Sequence, residues 1–358
     1  MRIVRIAGAW RDFVYGMRYL RRSPGFTLAA ILTLALAIGA NTCIFALLER
    51  VVLNPLPYPD SDRLIQLDHG FPVLNLPSGV GMTVGLYYQY QDRARKLDSV
   101  AIFRTDDLTL TGTGEPERIR VTTTTTTLSS VLRVRPAIGR WFTDEEGAEG
   151  APQRAVLSYA VWVRRFGGEM AALGRPVMLN GVPTEIIGVM PPSFAFPDPR
   201  VDAWIAQQVT RTAGFGLPFR FLGIARLRDG VTLADARTEL NGLIADLPNV
   251  YPGDPGVVGN VGVGKLISVA VTLKEATVGP VERALWILLA SVGVVLLIAC
   301  ANVANLFLVR AETRRRELAI RRALGLGSAG IIRLFLAESA LVAIAASLIG
   351  MSLASSAL

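Results

Sequence analysis

Residues 284–309, ALWILLASVGVVLLIACANVANLFLV, carry no charged side chain and end against Arg310 and then Arg314, Arg315 and Arg316. As a helix rising about 1.5 Å per residue, this run reaches roughly 39 Å, enough to cross a hydrocarbon core of about 30 Å with some tilt. Hydrocarbon offers no partner to an open backbone, so a continuous helix is the simplest way to satisfy every N–H and C=O there. Two further apolar runs make a soluble reading untenable. Residues 26–48, FTLAAILTLALAIGANTCIFALL, are uncharged, and residues 334–358 are uncharged from Ser339 onward, with Glu338 near one end.

The chain has 358 residues, 51% of them hydrophobic and 18% charged, with a mean hydropathy of +0.41. Those values fit a chain divided between bilayer and water. The net charge of +8 gathers beside the apolar runs. Arg2, Arg5, Arg11, Arg18, Arg21 and Arg22 precede the first, and seven arginines face only Glu312 and Glu317 across residues 310–333. Arginine flanks mark cytoplasmic loops, so the basic excess calls for membrane topology and not for a nucleic-acid partner. The N-terminus and residues 310–333 are therefore expected in the cytoplasm, and residues 49–283 outside it. The first run is too long for a signal-peptide core and passes into Glu49-Arg50, so it is expected to stay as a span.

Read in order, residues 1–25 are expected to form a cytoplasmic amphipathic segment, with Phe13, Met17 and Leu20 on one face. Ser23-Pro24 marks a helix start, with the serine as cap. Transmembrane helix 1 covers residues 26–48. The large domain covers residues 49–283, helix 2 residues 284–309, a cytoplasmic loop and short helix residues 310–333, and helix 3 residues 334–358. Within the large domain Asn54–Pro59 reads as a rigid extended lead-in, Tyr87–Leu97 as a solvent-facing helix, and Leu108–Leu110 and Ile119–Thr127 as strands. The six threonines at 122–127 favour a strand through their β-branching. Arg154–Ser158 reads as a strand and Tyr159–Phe166 as a helix. Asn180-Gly181, between two β-rich runs over 176–189, predicts a hairpin. Phe219–Leu227 and Lys265–Leu273 read as strands, and Thr232–Leu247 as a helix capped by Thr232 with Asp235 three residues on. Strands and helices without a Rossmann-like series imply compact α+β subdomains.

Chemistry-bearing motifs are few. Gly259–Lys265 matches part of a phosphate loop, but Leu266 stands where a hydroxyl would meet magnesium, so a glycine-rich bend is expected. Asp106-Asp107, Asp144-Glu145-Glu146 and Asp198 read as solvated turns without a calcium-loop spacing. The lone His69 excludes a multi-histidine metal site and needs no role as a surface or interface residue. Cys43 and Cys300 lie in apolar runs and read as small buried side chains, not as a disulfide pair. No catalytic, cofactor-binding or metal-binding residue is expected, and no enzymatic activity. Asn302 and Asn305 share a helix face, where amides in hydrocarbon call for helix–helix packing; Gly39, Ala40 and Gly293 would permit close approach.

Three stretches resemble the ABC transporter permeases of the macrolide-exporter (MacB) and FtsX type. They are RYLRRSPGFTLAAILTLALAIGANTCIFALL at 18–48, AVLSYAVWVRRFGG with GRPVMLNGVPTEIIGVMP in the large domain, and LLIACANVANLFLVRAETRRRELAIRRALG at 296–325. The form is similar to the duplicated bacterial permeases with two such units in one chain. The resemblance implies a membrane protein of the bacterial inner membrane, with α-helical spans and a large α+β periplasmic domain, a MacB-like core, inserted between the first and second. It implies a permease subunit for efflux or mechanotransmission, in which a separate cytoplasmic ABC ATPase binds ATP-Mg and hydrolyses it. A second permease unit, as homodimer or internal duplicate, and a periplasmic adaptor are the further partners. Carried over by residue, the ATPase-coupling candidates are Arg314, Arg315, Arg316, Glu317, Arg321 and Arg322. The family's fourth span has no counterpart here, so the chain reads as an incomplete permease unit. An anchored extracytoplasmic sensing or binding protein without transport is the alternative.

Overall fold

The computed structural model describes residues 17, 18, 21, 23–53, 56–112, 114–210, 214–216, 218–313, 315, 319, 320, 323 and 327–357. The expected amphipathic N-terminal helix falls almost wholly outside them. The chain divides into two compact units, residues 56–279 and residues 1–55 with 280–358.

The first helix, α1, runs Pro24–Leu48, with proline at its first turn where a missing N–H costs nothing. Ser23 stands at the cap position, but its hydroxyl caps no backbone N–H. That hydroxyl instead accepts from the Arg310 guanidinium at 2.7 Å.

The α+β unit is built on one ten-stranded sheet. Strand β1 is Leu64–Gly70, and helix α2 is Val84–Arg93. Strands β2 (Leu97–Thr111) and β3 (Glu117–Thr124) lead to helix α3 (Leu128–Leu132) and the short β4 (Ile138–Gly139). Strand β5 (Arg154–Leu157) precedes helix α4 (Tyr159–Phe166), then β6 (Pro176–Leu179), β7 (Val182–Val189), β8 (Ala203–Ala206) and β9 (Leu222–Leu227). Helix α5 (Leu233–Ala245) and β10 (Ile267–Thr272) complete it. The sheet order is β10-β1-β9-β2-β3-β8-β5-β7-β4, with β6 bridging β2 and β7. Pairing is antiparallel except β3 with β8 and β5 with β7.

The sequence implied separate subdomains, and the sheet is continuous instead. The reason is β2. Its first half pairs with β9 from Leu97 to Phe103, and its second half pairs with β3 from Phe103 to Leu110. A single fifteen-residue strand thus serves two cores. One core lies under α2 and α5 and includes Ile65, Leu86, Tyr90, Ile102 and Leu240; another lies under α4 and includes Val121, Val161, Trp162, Ile186 and Ile205. A third, around Trp204 and Trp141, sits between α3 and β8.

Local expectations fare unevenly. The hairpin at Asn180-Gly181 forms with both residues at positive φ, 48° and 81°, as a primed turn requires. Thr232 and Asp235 cap α5 reciprocally. The helix expected over 87–97 lies earlier and is not solvent-facing: α2 buries Leu86, Tyr87, Gln89 and Tyr90. It stops because Ala94 turns extended, and the next two N–H groups, of Arg95 and Lys96, donate to the Glu239 carboxylate. The threonine run is strand only through Thr124. Gly259–Lys265 is no bend off a strand; Val258–Val263 coils into a wide helical turn, and Lys265 then takes φ 52°.

The second and third apolar helices are α6 (Leu273–Thr313) and α7 (Ser328–Ala357). Pro24–Leu53, Val281–Thr313 and Gly330–Ser356 are each long and apolar enough to cross a membrane. The fold is the expected one of apolar helices with a large α+β domain between the first and second.

Candidate functional site at the Arg310 end of the apolar helices

Arg310 closes the apolar run of α6 and is itself buried. A guanidinium in such a place needs partners, because an unpaired charge in hydrocarbon is costly. One nitrogen donates to the Ser23 hydroxyl at 2.7 Å, and the guanidinium carbon lies 4.4 Å from the centroid of the Phe26 ring. Phe26 meets Phe307 edge to face at 5.2 Å. Below these, Ala30 of α1, Val303 of α6 and Val342 of α7 form a small buried core. The start of α1 is thereby locked to the end of α6 where the arginine-rich segment begins.

Glu338 of α7 is fully buried, in a helix whose other charged residue is Arg333, near its start. Buried carboxylates among apolar helices persist when neutralised or paired, and in membrane proteins they mark working positions. Further along, Asn41 donates its amide to Ala37 O at 3.0 Å and to Val292 O at 2.9 Å, tying α1 to α6. Gly39 lies against Gly350 of α7.

Of the residues singled out from sequence, Arg314, Arg316, Glu317, Arg321 and Arg322 fall outside the described residues. Arg315 is exposed and pairs with Glu312 at 2.9 Å, one helical turn back. Asn302 and Asn305 are exposed; the buried positions on that part of α6 are Ala299, Val303 and Arg310. Gly39 packs closely as expected, whereas a Cβ at Gly293 would meet open space. Cys300 is exposed and Cys43 half-buried, and both are free thiols, so neither is the buried apolar filler expected. Sequence reasoning missed Asn41, and it gave Ser23 the role of a cap in place of a partner for Arg310. Asn41 had a legible signal, an amide within an uncharged run.

In the α+β unit two buried polar centres overturn expectations. His69 is not a surface residue but fully buried. Its Nδ1 lies 2.8 Å from Gly81 O and its Nε2 2.7 Å from the Tyr90 hydroxyl. A carbonyl can only accept, so Nδ1 carries the proton and Nε2 accepts from Tyr90. Burial pulls the imidazole down to about 4, against a smaller upward pull from the Gly81 carbonyl and Asp68. Glu146 is no solvated turn residue: it is buried, it accepts from Arg140 at 2.6 and 3.0 Å and from Arg154 at 2.5 Å, and it takes the Thr143 N–H at 2.9 Å. Burial pushes its carboxyl up, but the Arg140 and Thr143 hydrogen bonds and the charges of Arg140 and Arg154 outweigh this and hold it low. Asp106 and Asp107 lie inside β2, facing Arg104, Arg118 and Arg120, and Asp198 pairs with Arg120 and Arg200. Among the described residues no group of three or more His, Cys, Asp or Glu is placed to hold a metal ion.

Three membrane-length helices with a mixed α+β domain after the first define a membrane protein with a large domain on one side. The sequence matches the MacB-like periplasmic core domain over residues 27–243 and the FtsX-like permease C-terminal region over residues 289–357. The chain belongs to the MacB/FtsX-type ABC permease family, and it is an inner-membrane protein with a periplasmic domain. It is 27% identical over 221 residues to the macrolide export ATP-binding/permease protein MacB of Bdellovibrio bacteriovorus, covering 61% of this chain and 33% of that one. It is 26% identical over 231 residues to the pyoverdine export ATP-binding/permease protein PvdT of Pseudomonas syringae pv. tomato, with the same coverage. The chain thus spans about a third of the length of these curated relatives. The periplasmic region of MacB from Actinobacillus actinomycetemcomitans aligns over 60% of this chain and 91% of its own, at 13% identity and a TM-score of 0.41.

Proposed function

We propose that this chain is a permease subunit of an ATP-driven efflux or mechanotransmission system, with its N-terminus and residues 310–333 in the cytoplasm. The observation that carries this reading is the pair of family matches, which fall on the periplasmic core and on the permease helices. ATP-Mg binds and is hydrolysed on a separate cytoplasmic ABC ATPase, and this chain hydrolyses nothing itself. Arg314, Arg315, Arg316, Glu317, Arg321 and Arg322 dock that ATPase. The Arg310–Ser23–Phe26 junction supports the segment from above, since it fixes the end of α6 to α1. A second permease unit, as a second copy or a linked duplicate, packs on the exposed Asn302 and Asn305 face of α6, and a periplasmic adaptor completes the assembly. The relatives named as exporters of a macrolide and of pyoverdine support export as the class of work.

The test is purification of the full chain from native membranes with identification of what accompanies it. An ABC ATPase is expected, and replacing Arg314, Arg315, Arg316, Arg321 and Arg322 together by alanine should release it while the chain stays in the membrane. Recovery of a sensor kinase in place of an ATPase, or an ATPase unaffected by the five substitutions, would overturn the docking assignment.

A further inference from the structure

Within the periplasmic domain a cleft of ≈350 Å³ lies between α2, the end of the threonine run and the Asp144–Gly147 turn, lined among others by Tyr87, Tyr88, Thr126, Asp144 and Gln207. That is room for a small organic molecule. The directions of its hydrogen bonds decide what can bind.

The Thr126 hydroxyl donates to Asp144 Oδ1 at 2.9 Å, and the Thr127 hydroxyl to Val100 O at 2.7 Å. Tyr88 donates its hydroxyl hydrogen to Val209 O at 3.4 Å, and the Gln207 amide donates to Gln208 O at 2.8 Å. Each of these hydroxyl hydrogens is turned into the protein, as is one of the two Gln207 amide hydrogens. A hydroxyl that has spent its hydrogen offers only lone pairs, and a carboxylate offers nothing else. What these groups present to a ligand is chiefly acceptors, the Asp144 carboxylate and the Thr126 oxygen, with the Gln91 amide on the same wall; the Gln207 carbonyl oxygen lies buried behind them without a hydrogen-bond partner. Among the described lining residues none is cationic. The Tyr87 and Tyr88 rings, their centroids 5.0 Å apart, add two π faces, and such faces attract cations.

We propose that this cleft binds a small organic ammonium ion, a primary or secondary amine. Its N–H groups reach the Asp144 carboxylate and the Thr126 oxygen, and its carbon frame lies on Tyr87 and Tyr88. An anion would meet the Asp144 carboxylate with no cation among the described lining residues to offset it. A neutral alcohol brings one donor and no charge. An ammonium brings two or three donors and the charge that Asp144 matches. The site is independent of the ATPase partnership, so failure of either reading leaves the other standing.

The experiment is calorimetric titration of the full chain in neutral maltoside micelles with butylamine, 1-butanol and butyrate, three four-carbon probes that differ in charge. Butylamine should bind at least about tenfold more tightly than 1-butanol, and butyrate should not bind. Asp144→Asn should weaken butylamine by about tenfold or more and leave 1-butanol unchanged. Asp144 opens a tight turn, so Gln207→Glu serves as a second variant where Asp144→Asn melts early. A second carboxylate in the cleft should tighten butylamine. Equal binding of amine and alcohol, no heat from the amine at millimolar concentration, or Gln207→Glu leaving the amine unchanged or weaker would overturn the proposal.

Discussion

Gly39 and Gly350 bring α1 and α7 together backbone to backbone. A Cβ added to Gly39 would stand 3.0 Å from the Gly350 carbonyl oxygen, and one added to Gly350 would stand 2.8 Å from that of Ala35. Helices in lipid gain little from apolar burial against each other, so close approach at small residues supplies much of their association. Gly350→Leu should therefore separate α1 from α7 and cost roughly 1–3 kcal/mol. Gly293→Leu, where a side chain meets open space, is the matched control. Thermal unfolding of the two variants in micelles checks this, and equal midpoints would show that the glycine contact contributes nothing.

Protonation of His69 should destabilise the periplasmic domain in mild acid. The imidazole sits at about 4 when folded, against 6.5 when exposed. Its contribution is fully present above pH 6.5 and is lost as pH falls toward 4, because the unfolded chain takes the proton first. Between pH 6.5 and 5 the loss should reach about 2 kcal/mol. Denaturant unfolding across that window measures it, and His69→Gln should flatten the slope.

Glu146 should carry a second, lower acid transition. Its carboxyl is held below its ordinary 4.5 in the folded protein, so the stabilisation is present above that value and disappears as pH falls through the lowered one. Glu146→Gln leaves Arg140 and Arg154 without their shared anion. With Arg140 partly in water, the cost at neutral pH should be about 2 kcal/mol. The difference from wild type should shrink below pH 4.5, and a difference that persists in acid would assign the effect to packing.

Asn41→Leu should loosen α1 from α6 by about 1 kcal/mol, the usual scale of an interhelical amide bond in a bilayer. The lost bond is the 2.9 Å contact to Val292 O. The natural Cys43 of α1 and Cys300 of α6 are both free, so maleimide labelling of the two in wild type and variant reports any change in exposure. Identical labelling rates would count against the tie.

Much of this protein was legible without coordinates, and the reason is local. Three uncharged runs declare their helices because lipid leaves the backbone no other solution, and Asn180-Gly181 declares a turn because few residues accept two positive φ values. Thr232 with Asp235 declares a helix start on the same grounds, as neighbours in sequence are neighbours in space. Family membership was legible too, from stretches flanking the membrane. The tertiary structure alone decided what depends on distant residues. Only pairing shows β2 joining two halves of one sheet. Only burial shows His69 under Tyr90, or Glu146 between Arg140 and Arg154, where charge and turn composition had pointed to solvent. Ser23 offered a cap by every local rule and gave its hydroxyl to Arg310, 287 residues away. Short-range order follows from backbone stereochemistry and hydropathy, which a sequence displays; the partner of a polar side chain follows from folding, which brings together groups whose spacing along the chain carries no signal.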